Sequence, residues 1–396
     1  MKKENIELSM KEQNKIKVLS LVMDGQMSFE KGLEILQCSK STLYLWKRHL
    51  KESGPSGLIH QNRGRSNANK TSDALTQKIV GLHREQYYDA NDTHFTELLA
   101  KYEGVKIGRS TVQRILRGNG IKAKRKRRRV KCRTRRVRKE NLGAMLQLDA
   151  SYHQWLGPMG PWFTLHGAID DATNRVWIHV EERETTHGYY ELIRLVFADG
   201  GLPLSVYTDR HAIFYPVMEK QCREMQLRGE ESKSQFGRAM SELGIEMIKA
   251  YTAQAKGRIE RKWETLQDRL VVALRLAGIT TIEGTKAFVP GFMKEESIKY
   301  TVAAAQTKSV FRRSPRQEIL DDILCRKEFR VVANDHTVSY QGVEYQIPRP
   351  KGWRTLAKKT VEVWDRPDGM LKIVYEGKIV LTTKMNMEDA FKVNAA

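Results

Sequence analysis

Residues 122–139, KAKRKRRRVKCRTRRVRK, hold 13 basic side chains in 18 positions and no acidic one. No apolar face can be drawn through such a block on a helix or strand period. Like charges at this density repel one another until anions neutralise them. The block therefore cannot join a core, and it divides the chain into two stretches with different folding patterns. The stretch before it is patterned for helices; the stretch after it alternates strands and helices. Over all 396 residues the formal charge is +22, which speaks to partners rather than to fold and points to a polyanion.

Before the block, residues 1–55 carry three short helical stripes. EQNKIKVLSLVMDG presents Ile16, Leu19 and Met23 on one side and stops at Gly25. MSFEKGLEILQ starts behind Ser28 as N-cap, with Lys31 where the reciprocal acid of a capping box would stand. CSKSTLYLWKRHLKESG turns Leu43, Trp46 and Leu50 inward and leaves Lys40, Thr42, Lys47 and Arg48 outward. Two such helices joined by a tight turn make a helix-turn-helix, whose last helix enters the major groove of DNA. A Gly-, Ser-, Asn- and Arg-rich linker at 56–70 leads to a second such unit at 71–121. Its stripes are Leu75, Ile79 and Leu82, then Phe95, Leu98 and Leu99, then Val112, Ile115 and Leu116. Ser110 is the expected cap of the last helix, and Arg109, Gln113 and Arg114 point outward. Both units in series with the basic linker 122–140, which holds Arg125, Arg127, Arg128 and Arg129, predict a bipartite arm for double-stranded DNA.

After Asn141, AMLQLDASY, PWFTLHGAID and NRVWIHVEE read as strands and TTHGYYELIRLVFADGG as a helix. LPLSVYTDRHA and ELGIEMIKAY are further strands, and TAQAKGRIERKWETLQDRLVVALRLAG is a long helix. The order predicts an α/β core with a mixed sheet over 141–280, interrupted by a polar insertion at about 215–235. A helical connector fills 281–327. From 328 to 396, short strands with tight turns at Asp368–Gly369 and Glu376–Gly377 predict a small all-β barrel. The expected fold class is thus multidomain: helical N-terminal units, an α/β core and a C-terminal barrel. No run of about 18 apolar residues occurs, and MKKENIELSMKEQNK lacks the apolar centre of a signal peptide. The expectation is a cytoplasmic, nucleoid-associated protein with no membrane partner. Cys38, Cys132, Cys222 and Cys325 are widely spaced, as reduced thiols would be.

Asp149 interrupts an apolar strand in MLQLDASYHQW, where burying an unpaired carboxylate costs several kcal/mol. Asp209 closes the strand SVYTD, and Glu260 borders a helical stripe of Ile259, Trp263, Leu266 and Leu270. Three acids at the apolar edges of three elements are stabilised together by hard divalent cations, which take oxygen ligands. Two such ions ~3.5–4 Å apart serve phosphoryl transfer. Asp170 and Asp171 fall in a turn and read as structural.

Three motifs carry a resemblance: LQLDAS around Asp149, VYTDRHAIF around Asp209 and KGRIERKWETLQDRL around Glu260. Over residues 141 to about 277 the chain resembles the catalytic core of the retroviral-integrase superfamily, an RNase H-like fold. With its arm and barrel, the whole chain is similar to bacterial insertion-sequence transposases of the ISNCY group. Their Lys-Gly-x-x-Glu pattern falls on Lys256, Gly257 and Glu260, which makes Glu264 the weaker candidate. The resemblance implies a DDE site of Asp149, Asp209 and Glu260 that binds two Mg²⁺ ions, for which Mn²⁺ can substitute. It implies hydrolysis of a phosphodiester by metal-activated water to expose a 3′-OH, then direct joining of that hydroxyl to target DNA. The implied partners are transposon terminal inverted repeats and target DNA, with a homodimer or higher oligomer assembled on them. Lys256 and Arg258 are expected at the DNA. The chain departs from many members in placing Arg210-His211 after Asp209 where Asn-Gly is common. The interval of 51 residues from Asp209 to Glu260 is also longer than usual. Two other functions fit part of the pattern: a DNA-binding repressor without catalysis, which leaves the three acids unused, and a metal-dependent nuclease that cuts without joining.

Overall fold

The computed structural model describes residues 8–59, 70–125, 136–216, 233–250, 257–348 and 355–385. The chain forms two compact units, residues 1–81 and 82–396. In the first, α1 (Met10–Met23), α2 (Phe29–Leu36) and α3 (Lys40–Ser53) form where the apolar stripes predict them. Ser28 and Ser39 cap α2 and α3, accepting from the backbone N–H of Lys31 and Thr42 at 3.3 Å each. Leu19, Leu43 and Leu58 make the core, with Trp46 and Leu50 against it.

The unit boundary falls within α4 (Asp73–Glu85). α5 (Asp92–Tyr102) is capped by Asn91, and α6 (Arg109–Gly118) starts behind Gly108. Ser110 therefore lies inside α6 and does not cap it. Residues 82–121 belong to the same compact unit as everything after them, and do not stand as a domain of their own.

The central sheet is built from β1 (Leu146–His153), β2 (Phe163–Asp170), β3 (Val176–Glu181), β4 (Ser205–Thr208) and β5 (Glu246–Lys249). Its order is β3-β2-β1-β4-β5. β1, β2 and β3 pair antiparallel, whereas β1, β4 and β5 pair parallel, so the sheet is mixed as expected. Every residue of β2 is buried, which only a sheet covered on both faces allows. One cover is α7 (Thr186–Asp199) with α8 (Gln235–Glu242), whose Tyr189, Val196 and Phe236 meet Leu146, Leu148 and Val206. The other is α9 (Gly257–Leu276) with α10 (Ile282–Tyr300), where Trp263, Leu266 and Met293 meet Leu165, Ile169 and Ile178.

Residues 281–327 are part of this core and not a connector. α10 packs in the second layer, Leu202 and Arg312 pair as a β-bridge, and α11 (Gln317–Ile323) adds Leu320 to the first layer. The ring of Phe311 fills the space beside Gly143 and Gly200, where an added Cβ would fall 2.7 and 2.9 Å from it.

The C-terminal module starts at β6 (Arg326–Val331), followed by β7 (Thr337–Tyr340), β8 (Val343–Gln346), β9 (Thr360–Asp365), β10 (Met370–Tyr375) and β11 (Lys378–Lys384). A four-stranded sheet, β11-β10-β9-β6, and the hairpin β7-β8 share a core of Val338, Tyr340, Val361, Val363, Leu371 and Ile373. Among the described residues these remain two sheets and not one closed barrel. Both predicted turns form. Glu376 and Gly377 take φ of 45° and 76°, the positive pair that a two-residue hairpin turn requires. No helix of the described residues is long and apolar enough to cross a membrane.

Candidate active site

β1 and β4 set two of the three acids side by side. Leu146 pairs with Val206 and Gln147 with Tyr207 in parallel register. Asp149 lies two residues further along β1, on the same face as Gln147 because strand side chains alternate, and Asp209 directly follows the last residue of β4. The carboxyl ends of adjacent parallel strands are where α/β sheets open a crevice for ligands. Both acids are half-buried.

Each carboxylate is oriented by a local partner. Asp149 Oδ2 accepts from Trp263 Nε1 at 2.9 Å. The indole reaches it because Gly167, opposite Asp149 in the β1–β2 ladder, has no side chain. A Cβ at Gly167 would lie 2.6 Å from the Trp263 ring. Asp209 Oδ1 accepts from the His211 N–H at 3.0 Å, an Asx turn that starts the following loop. His211 itself is exposed. Behind the acids lies the phenol of Tyr189, which donates to Glu184 at 2.8 Å. Burial raises its pKa well above the ordinary 10, and Glu184, Asp149 and Asp209 all push it the same way. The two aspartates thus act on one buried hydroxyl.

Glu260 stands in the first turn of α9, exposed, one turn before Trp263. Among the described residues no three His, Cys, Asp or Glu side chains are close enough to hold a metal ion together.

Asp170 and Asp171 are structural. Asp170 accepts from the backbone N–H of Gly143 and Thr173 at 2.9 and 2.8 Å, while burial raises its pKa. Asp171, fully buried, receives the guanidinium groups of Arg136 and Arg258 and the amide of Gln147. The sequence reading puts Arg258 on DNA; here its side chain, 13% exposed, is committed to neutralising Asp171. That clamp fixes the start of α9 two residues before Glu260. The sequence reading missed both the clamp and the Trp263 contact. Gly167 inside an apolar strand was the available signal for the second, since glycine there marks a close approach.

The other DNA candidates divide. Lys40, Arg109 and Arg114 are exposed. Lys47 is half-buried, and the Thr42 hydroxyl lies 2.8 Å from that of Ser39. Gln113 is half-buried and donates to Asp92 at 3.2 Å. Arg125, with Lys124, pairs with Asp268 of α9 at 3.4 and 3.0 Å. Arg127, Arg128, Arg129, Lys256 and positions 217–232 of the insertion lie outside the described residues.

The mixed α/β core carries Asp149 and Asp209, both half-buried, in a chain of charge +22. No family model matches the chain. It is 31% identical over 374 residues to the candidate transposase y4bF of Sinorhizobium fredii, covering 94% of this chain and 80% of that protein. It is 29% identical over 378 residues to the transposase for insertion sequence IS1202 of Streptococcus pneumoniae, covering 87% and 79%. Among solved structures it is similar to the HTLV-2 integrase catalytic core domain in complex with magnesium, at 13% identity and TM-score 0.28, over 40% of this chain and 84% of that one. It is also similar to the simian T-cell lymphotropic virus intasome in complex with PP2A regulatory subunit B56 gamma, at 12% identity and TM-score 0.32, over 78% and 99%. The chain belongs to the family of bacterial transposases that y4bF and the IS1202 protein represent.

Proposed function

We propose that this protein binds the ends of its element, cleaves a phosphodiester there to expose a 3′-OH and joins that end to target DNA. The observation that carries the reading is the parallel pairing of β1 with β4, the strands that lead to Asp149 and Asp209, in a member of a transposase family. Their donor atoms are all carboxylate oxygens, a set that fits hard cations such as Mg²⁺, or Mn²⁺ in its place. Asp149, Asp209 and Glu260 would hold two such ions, Glu260 from the helix that also carries Trp263. When bound, the ions polarise the phosphodiester and activate the attacking oxygen.

The protein's own part is orientation and charge. Trp263 fixes Oδ2 of Asp149, and the Asx turn fixes Asp209. The Asp171 clamp sets the first turn of α9. Lys40, Arg109 and Arg114, with Arg127, Arg128, Arg129 and Lys256, neutralise phosphates along double-stranded terminal inverted repeats and target DNA. Joining two ends to one target needs at least a homodimer on the DNA.

The deciding experiment compares wild type with Asp149→Asn on DNA carrying the element's own end. Binding, nicking and joining to a plasmid are followed in Mg²⁺ and in EDTA. The expected variant binds but neither nicks nor joins. Equal activity of the two proteins overturns the site. Wild-type nicking without joining makes the protein a nuclease, and wild-type binding without either makes it a repressor.

A further inference from the structure

Beyond Asp149, β1 runs out to an exposed aromatic pair at the β1–β2 hairpin. Tyr152 and Trp162 are 61% and 50% exposed, with ring centroids 5.1 Å apart and planes tilted by 34°. Exposed aromatic rings gain by burial against another apolar or aromatic surface. The hairpin loop is well fixed. Gln154 Nε2 donates to the carbonyls of Pro158 and Gly160 at 3.0 and 3.3 Å, and the Gly160 N–H donates to the Gly157 carbonyl at 2.9 Å.

Under the pair a ladder of rings leads back to the acids. His153 stands edge-on to Trp162 at 6.2 Å and to the fully buried Trp155 at 5.2 Å. Trp155 lies 6.3 Å from Trp263, whose indole N–H holds Asp149. The exposed rings are therefore held at a set position relative to the candidate active site.

The chemistry of the occupant follows from what the hairpin lacks. From Tyr152 to Phe163 the chain has no Lys, Arg, Asp or Glu, although the protein as a whole carries +22. Such a stretch has no Lys or Arg to hold a phosphate, and its exposed rings suit a flat, uncharged π-system. Resting on the functional reading above, we propose that Tyr152 and Trp162 form a stacking platform for one unpaired base of the DNA end. Tyr152 lies three residues beyond Asp149 along β1, ~10 Å along the strand at ~3.3 Å per residue, and the odd spacing turns its side chain to the other face at the hairpin end of the sheet. At ~3.4 Å per stacked nucleotide, a strand that rounds the hairpin end places the base at least about three nucleotides from the phosphodiester at Asp149. Every base has a π-face, so the platform anchors the end without reading its sequence.

The test uses the full-length protein and duplexes carrying the element's own end. A fluorescent adenine analogue, quenched on stacking, replaces each of the last few bases in turn. The wild type is expected to quench one position. Tyr152→Ala with Trp162→Ala restores emission there and weakens end binding about tenfold, the order of one lost base–aromatic stack. An abasic site at that position weakens the wild type equally and leaves the double variant unchanged. Tyr152→Phe with Trp162→Phe keeps the rings and retains quenching, which guards against a folding artefact. Equal quenching by the double Ala variant, or a wild type indifferent to the abasic site, overturns the platform. Asp149→Asn separates the two ideas: it should keep quenching while losing cleavage. If it cleaves as the wild type does, the functional reading fails, while the quenching result still decides the platform.

Discussion

Trp263 joins two positions more than ninety residues before it: Gly167, which makes room for its ring, and Asp149, which its N–H holds. Trp263→Phe keeps the ring and removes the donor. One hydrogen bond to a charged acceptor contributes ~1.5–3 kcal/mol, so single-turnover cleavage in Mg²⁺ should slow about 10- to 100-fold with end binding little changed. An unchanged rate would detach Trp263 from the chemistry. A second residue-scale prediction concerns two buried histidines. Burial lowers the pKa of both His94 and His166 to about 4 from the ordinary 6.5, with Arg269 adding to the effect at His94. Their Nδ1 atoms are buried without a hydrogen-bond partner among the described residues, so protonation would bury an unpaired charge. The folded pKa is the lower one, so each neutral ring supports the fold above about pH 6.5. That support is lost as pH falls from there toward about 4. At about pH 5 the loss is on the order of 2 kcal/mol for each histidine. Urea unfolding at about pH 7.5 and pH 5 should show the drop, and His166→Gln should shrink it; an unchanged drop would remove His166 as its source.

Between elements, Arg269 fastens α5 to α9 and α10. Its guanidinium meets Glu97 of α5 at 2.5 Å and Glu296 of α10 at 3.1 Å, while Arg275 meets Asp89 at 2.6 Å. Burial pushes Glu97 up, but hydrogen bonds from Arg269 and Lys299 outweigh it and take the carboxyl down to about 2. Because Glu97 is depressed from 4.5, its contribution is present above that pH and disappears as pH falls toward about 2. Arg269→Met would leave the buried Glu296 without this partner, and breaking a buried pair from one side costs ~3–5 kcal/mol. Adding Glu296→Gln should recover part of the loss in urea unfolding; full additivity of the two changes would mean that they do not interact. None of this fastening was legible in the sequence, where Arg269 is one more charge on a polar helix face. What was legible followed local periodicity: the α9 stripe of Ile259, Trp263, Leu266 and Leu270, the mixed sheet's strands, and the turn at Glu376–Gly377. Pro290 lies inside α10, where proline ordinarily breaks a helix, yet the helix runs on to Tyr300. The site shows the same division. Asp149 and Asp209 stand out as acids in apolar strands, but their pairing depends on a β1–β4 register that no local pattern encodes.

At the scale of the whole molecule, the charge of +22 is unevenly available to a partner. At one end of the basic linker Lys124 and Arg125 face Asp268, and at the other Arg136 faces Asp171 and Arg138 bonds the Ala172 carbonyl and the Asn174 side chain. Those cations are already engaged within the protein, so the DNA-binding charge we assign to the linker centres on Arg127, Arg128 and Arg129. Each phosphate contact contributes about 0.9 to the slope of log affinity against log salt on duplex DNA. Replacing these three arginines by alanine should therefore flatten the slope by about 2.5–3, measured by fluorescence anisotropy between ~50 and ~200 mM salt. Affinity should fall alike for the element's own end and for unrelated DNA, because phosphate contacts carry no sequence information. Arg136→Ala should behave differently. It removes one of two guanidinium partners from the buried Asp171, so it should lower the urea midpoint while changing the salt slope by less than one contact's worth. If the triple variant keeps the wild-type slope, Arg127, Arg128 and Arg129 make no phosphate contacts and the assignment of DNA-binding charge to them fails. If Arg136→Ala flattens the slope as strongly as the triple change, its pairing with Asp171 gives way to phosphate when DNA binds.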